Sequence, residues 1–499
     1  MNSFDTIKLG ARPQGRWALA GRWIVADTPA GRHLVRDGEV VIEDDRVVHV
    51  GQPFNGDLSS RYDMGNALIS PGFVDLDALS DFDTTLLAFD NWPSEEKGRV
   101  WPRTYVERGP YEMYSHEELA FQKRFAFAQL LQNGITSAAP IASLFYREWG
   151  ETVAEFDAAA AAAQDLGLRV WLGPAYRSGG MVVESDGRMV AEFDETRGLQ
   201  GLEAAIEFAG KWQGHDLISP LLAPDRVETC TTKLLQRTMQ AAGDLGCMVR
   251  LHMAQGMMEL NASLALHGKT TPQWLDGLGL LNDYLLAPHA TIATDEDLRR
   301  YADRGVSVVH CPLVSARHGG MLRSFRKLRN MGIRIAMGTD TAPPDMVLNM
   351  AVGMMMCRMA DGDITACKSG DFFDAATKGG AEALGRNDIG VLREGGKADI
   401  AVFDLSDTAM APSIDPIQTL ILGASGRVTR ATIVDGRLAM RNGEVAGLNM
   451  VSARKQAQDQ FDGLIAKYPE RTAGHPPVSE IFPPTYPLMA GPRSARSSS

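Results

Sequence analysis

The sequence predicts an α/β fold, a closed TIM-type (β/α)8 barrel inserted into a small composite β-sandwich domain, and three observations predict it. Between residues 68 and 395 short apolar segments alternate with helical stretches, and the strand candidates number eight. Hairpin patterns occur at both ends of the chain, and neither set alone buries much apolar surface, so the two ends build one domain around the middle. No GxGxxG turn follows the first strand of the middle region, which disfavours an open doubly wound sheet.

Residues 1–67 are read as the first part of the β-sandwich. Val40, Val41 and Ile42 lead to the turn Asp44-Asp45, then Val47, Val48 and Val50 run to Gly51. The barrel strands are expected to end near Val74, Ala138, Leu172, Ala223, Leu251, Leu286, Val309 and Met337. Amphipathic or Ala-rich helices lie between them, at Glu117–Gln132, Glu155–Leu166, Thr231–Leu245 and Asp295–Ala302. Residues 81–116 form a long insertion after the first barrel strand, and its Trp92, Trp101, Tyr105, Tyr111 and Tyr114 either line a substrate pocket or pack the loop itself. Residues 396–447 complete the β-sandwich with Ala398–Phe403 and Ala431–Val434, followed by the hairpin turns Asp435-Gly436 and Asn442-Gly443. Residues 448–499 are read as a helix at Val451–Tyr468 and an extended arm that packs on a neighbouring subunit, making the protein a homodimer or higher homo-oligomer.

Composition narrows the function classes. A net charge of −12 argues against nucleic acid or an anionic membrane as partner and leaves a small-molecule substrate. Five cysteines without paired short spacing fit a reducing compartment, and no run approaches the ~20 apolar residues of a spanning helix, so a cytoplasmic location is expected.

Chemistry concentrates at strand ends. GIRIAMGTDTAPPDM (332–346) ends its apolar run in Gly338-Thr339-Asp340, and burying a carboxylate there is costly unless something positive meets it. MVRLH ends in His252 and YLLAPH in His289. Two imidazoles and a carboxylate at three strand ends are the core of a divalent-metal site. His310 in VVHCP is read as structural, His116 and His318 as loop or capping residues, and Met350, Met354, Met355, Met356 and Met359 as core filler.

From about residue 36 to 447 the motifs resemble the amidohydrolase superfamily, in its aminohydrolase and chlorohydrolase branch of cytosine and guanine deaminases and triazine hydrolases. SPGFVDLD (70–77), LLAPDRVETC (221–230), RLHMAQ (250–255), APHATIATDED (287–297), VVHCP (308–312), MGTD (337–340) and ATKGGAEALGRNDIGVLREGGKADIAVFD (376–404) occur in that family's order. The resemblance implies hydrolysis by water whose pKa a divalent metal lowers, with His252 and Asp340 as ligands, His289 polarising substrate or water, and Asp340 accepting the proton. The family's HxH pair is replaced by Asp77-Ala78-Leu79, so Asp77, His252, His289 and Asp340 form the expected ligand set. The deaminases' proton-shuttling glutamate corresponds to Gln255, and the histidine after strand four to Asp225, followed by Arg226. With no lysine at the end of strand four, at most one metal is expected: zinc, or iron, manganese or cobalt. The function expected is therefore a mononuclear metal-dependent hydrolase of a C–N bond in an amide, urea, carbamate or amino- or halo-substituted heterocycle. His289, Asp340 and Gln255 would be catalytic, and Asp225, Arg226, Trp92 and Trp101 would bind substrate. The alternative is a metal-free relative that binds a ligand or partner without hydrolysing it.

Overall fold

The structure, a computed structural model, describes residues 3–82, 100–141, 144, 147–322 and 325–489. Eight parallel strands close on themselves: β1 Phe73–Leu79, β2 Ile135–Ile141, β3 Arg169–Leu172, β4 Ile218–Pro224, β5 Met248–Arg250, β6 Leu285–Pro288, β7 Ser307–His310 and β8 Ile335–Met337. Closure is made by Met337 of β8 beside Asp75 of β1, and by the pairing of β3 with β4. The helices between them start and stop on local signals. Ser115 with Glu118 caps His116–Gln132, and Thr294 with Asp297 caps Asp295–Arg304. Gly167, Gly246 and Gly305 end helices in the left-handed region, where a side chain would be strained, and turn the chain into β3, β5 and β7. Leu222, Val249, Leu251, Val308 and Met337 pack with helix residues Phe127, Phe156, Phe208, Leu234 and Tyr301 in one core.

The expected composite β domain is one continuous sheet of nine strands drawn from both chain ends. Its two parts meet where Ala67–Pro71 runs antiparallel to Ile400–Asp404. Trp17, Leu19, Ile24, Val40 and Ile69 share a core with Ile400, Val402, Ala431, Ile433 and Leu438. Arg169 of β3 ties this domain to the barrel, its Nε 2.7 Å from Asp399 and its Nη2 3.2 Å from Asp435. No helix among the described residues is long and apolar enough to cross a membrane.

Three expectations are corrected. The described part of the insertion carries structure of its own: Trp101–Pro102 pairs with Gly179–Val183, which pairs with Met189–Phe193, and Arg103–Arg108 is helical. Tyr105 and Tyr114 pack against Leu464, Tyr468 and Ile481 of the C-terminal region, and Trp101 packs against the same cluster, its ring centre 5.6 Å from that of Tyr105. That same contact brings the start of the arm, Val478–Ile481, back onto its own chain after the helix Met450–Lys467. The methionine cluster also splits by helical face: Met350 and Met354 are fully buried, whereas Met359 is 77% exposed.

Candidate metal centre

Four strand ends bring four side chains together. Asp77 lies on β1, His252 and His289 follow β5 and β6, and Asp340 follows β8. Isolated bridges between Arg226 and His252 and between Met253 and His289 carry the strand pairing past the regular ladder. The Asp340 amide donates to the Asp77 carbonyl at 2.8 Å. His289 and Asp340 adopt φ values of 74° and 43°, left-handed backbone that costs a non-glycine residue ~1–2 kcal/mol and persists only where the surroundings fix it.

Gly338 lets β8 approach β1. A Cβ there would stand 2.5 Å from the Asp77 Cβ and 2.9 Å from the Cys311 sulfur. Gly338→Ala is accordingly expected to cost about 1–3 kcal/mol in urea unfolding and to lower metal content. Wild-type values for both would mean that the two strands yield freely.

The polar atoms converge without donors. His252 Nδ1 lies 3.1 Å from the Asp225 carbonyl, which only accepts, so Nδ1 carries a proton and Nε2 faces Asp77 Oδ1 at 3.6 Å. His289 Nε2 is 3.6 Å from Asp340 Oδ2 and 3.9 Å from Asp77 Oδ2. His289 Nε2 and Asp77 Oδ1 are buried with no hydrogen-bond partner. One ligand atom from each of Asp77, His252 and His289 lies within 4.8 Å of the others. Buried acceptors facing one another are what a divalent cation satisfies, and imidazole with carboxylate suits a borderline ion. The donor set fits a metal.

Electrostatics differ across the site. Burial pushes His289 down to about 3, so its ring is neutral and its lone pair available. Burial, reinforced by the Asp77 charge, raises the Asp340 carboxyl well above the carboxylate range, which gives it the basicity to take a proton. Burial would also raise Asp77, but the positive charge beside it, that of Arg250 included, outweighs this and holds it low. Arg250 is buried with its Nε 3.9 Å from Asp77 Oδ1, and its Nη1 donates to the Ala139 and Pro140 carbonyls. Its charge offsets that of Asp77, yet Asp77 Oδ1 still has no hydrogen-bond donor.

A cavity of about 280 Å³ reaches Asp225 and Arg226, whose backbone meets His252, and is lined also by Trp101, Trp149, Arg177 and Glu228. Of the substrate-binding candidates, Asp225, Arg226 and Trp101 face this cavity, and Trp92 lies outside the described residues. Gln255 accepts a hydrogen bond from Arg226. Glu259 fixes the segment after His252 by accepting from the amides of Ala254 and Gln255, each at 2.7 Å. His310 is buried against Phe325 and Phe372. Arg250, Cys311, Glu259, Arg177 and Trp149 were missed as site residues. Only Arg250 carried a readable signal, a charge two residues before His252 and therefore on the same face of β5.

Residues 68–439 match the Amidohydrolase family. The chain is 26% identical over 445 residues to a 5-methylthioadenosine/S-adenosylhomocysteine deaminase of Moorella thermoacetica, covering 86% of this chain and 96% of that one. It is 24% identical over 439 residues to a 5'-deoxyadenosine deaminase of Methanosarcina mazei, covering 87% and 95%. Among solved structures, a zinc-bound adenosine deaminase from Xanthomonas campestris superposes with a TM-score of 0.73 at 22% identity, over 91% of this chain and all (100%) of that one. A zinc complex of atrazine chlorohydrolase from Arthrobacter aurescens gives 0.73 at 20% identity, over 89% and 100%.

Proposed function

We propose that this chain, which belongs to the amidohydrolase family, is a mononuclear metal-dependent hydrolase of a C–N bond in a small molecule. The observation that carries the reading is the convergence of Asp77, His252 and His289 on one point, with Asp77 Oδ1 and His289 Nε2 buried and without a hydrogen-bond partner. Asp77, His252, His289 and Asp340 would hold the ion. Such an ion, when bound, supplies the Lewis acidity that makes water a nucleophile near neutral pH. Asp340 takes the water's proton, and its raised affinity for a proton suits that task. Gln255, held by Arg226, hydrogen-bonds substrate without exchanging a proton. Zinc is favoured by the zinc-bound structural neighbours, and an amino- or halo-substituted heterocycle by the names of the relatives and neighbours. Amide, urea and carbamate substrates use the same chemistry.

Five buried free cysteines support a cytoplasmic setting. Exposed Met355, Met359 and Ile364 offer an apolar patch for a homo-oligomer.

The test is turnover in heavy-oxygen water with a panel of amino- and chloro-heterocycles, amides and ureas. The expected result is one labelled oxygen in the product, activity lost on chelation and restored by zinc, and close to one metal per chain. Product without label, or full turnover after exhaustive chelation, overturns the reading. The metal-free alternative is favoured by Leu79, which cannot ligate, and by the Arg250 charge beside Asp77. A centre that refuses added zinc and manganese would select it.

A further inference from the structure

We propose that the cavity beside the centre contains an anion subsite, in which the Arg177 guanidinium, stacked between Trp101 and Trp149, receives a carboxylate borne by the substrate. This rests on the reading that the same cavity admits the substrate of a hydrolase.

Arg177 follows β3 and is only 6% exposed. Its guanidinium carbon lies 4.8 Å from the Trp101 ring centre and 5.6 Å from that of Trp149. Trp149 is itself fixed, its Nε1 donating to the Arg177 carbonyl at 3.0 Å, and Arg197 covers Trp149 at 4.3 Å. Stacking engages the faces of a guanidinium and leaves its in-plane N–H donors unsatisfied. Nε and Nη2 have no hydrogen-bond partner, and among the described residues no carboxylate stands within ion-pair distance of Arg177. Two other deeply buried arginines are closely paired by contrast: Arg147 meets Glu155 at 2.6 Å and Arg169 meets Asp399 at 2.7 Å.

An unpaired buried cation is expensive, and pairing it from the cavity removes that cost. Asp225 attracts Arg177 from beyond contact, whereas Arg197 and Arg471 repel it. The Asp225 carboxylate is already engaged by the Thr229 hydroxyl at 3.2 Å and stands 4.0 Å from Arg226. Burial pushes the Arg177 guanidinium down to about 10, which leaves it charged at neutral pH. Arg177 lines the cavity beside Gly180, where an added Cβ would come no nearer to Nη1 than ordinary contact, 4.0 Å. A planar guanidinium fork matches a planar carboxylate. The substrate class is therefore narrowed to small molecules with a carboxylate set apart from the scissile C–N bond.

The test is calorimetric titration of the full-length protein with matched pairs of acid and amide: benzoate with benzamide, and indole-3-acetate with indole-3-acetamide. Each acid is expected to bind about tenfold or more tightly than its amide, the fold-change of one charge-assisted hydrogen bond. Arg177→Met should abolish the preference, and Arg177→Lys, which keeps charge but loses the fork, should lose most of it. Equal affinity of acid and amide for the wild type, no acid binding at millimolar concentration, or a preference that survives in Arg177→Met each overturns the subsite. The wild-type comparison decides even if a variant misfolds. Metal content measured on the same samples separates the two ideas. Metal bound without acid preference sinks only the subsite, and acid preference in protein that binds no metal sinks only the hydrolase.

Discussion

Asp340→Ala is expected to lower turnover by about a thousandfold or more and to strip the centre of its ion. Two separate contributions are lost together. The carboxylate is one of the acceptors facing His289 Nε2, at 3.6 Å, so its removal weakens the ligand set. It is also the carboxyl whose proton affinity burial and Asp77 have raised, so its removal deletes the base. Asp340→Asn separates the two, keeping an oxygen donor while losing basicity, and should retain more metal than alanine with no gain in rate. Elemental analysis and steady-state kinetics on the same samples read both quantities. Wild-type metal content and rate in Asp340→Ala would remove this residue from the site and the proposed chemistry with it.

Much of this was legible because strand ends are local features. His252, His289 and Asp340 each close an apolar run, and a parallel barrel gathers such ends at one mouth whatever the loops between them do. Asp77 was readable from its register in SPGFVDLD. What the chain did not announce are pairings made across the barrel or between distant loops. Arg250 sits on the face of β5 that carries His252, but that it meets Asp77 depends on barrel closure. Arg177 lies in the polar stretch Tyr176–Gly180, and its two tryptophans come from separate loops, so no spacing could relate them. Tyr105 and Trp101 are four residues apart and both reach the C-terminal region, yet Trp101 also lines the cavity, which their shared aromatic character does not foretell. The methionines were a failure of a different kind. Met350 with Met354 and Met355 with Met359 are two i, i+4 pairs on different faces, a distinction that helical periodicity already contained.

Lys123→Met should lower stability by about 3–5 kcal/mol, the scale of stripping one partner from a buried ion cluster. Lys123 Nζ contacts Glu151 at 3.0 Å, Glu155 at 3.3 Å and the Ser80 hydroxyl at 2.9 Å. Arg147 completes the cluster at 2.6 Å from Glu155, and the side chains of all four charged residues are at most 2% exposed. Glu112 also draws on Arg147 at 2.8 Å, so methionine at position 123 leaves Glu151 dry and without its nearest cation. The damage reaches the centre because the cluster fixes the ground beneath it. Ser80 follows β1, and the second oxygen of Glu151 accepts from the Ala175 amide just beyond β3 at 2.7 Å. Urea unfolding measures the loss, and metal content should fall with it. A change within about 0.5 kcal/mol of wild type would show the cluster to be wet or dispensable. Lys123→Met combined with Glu151→Gln distinguishes charge from packing. If the uncompensated carboxylate is the cause, the double variant recovers most of the lost stability, whereas a cavity left by the lysine stem would persist in both.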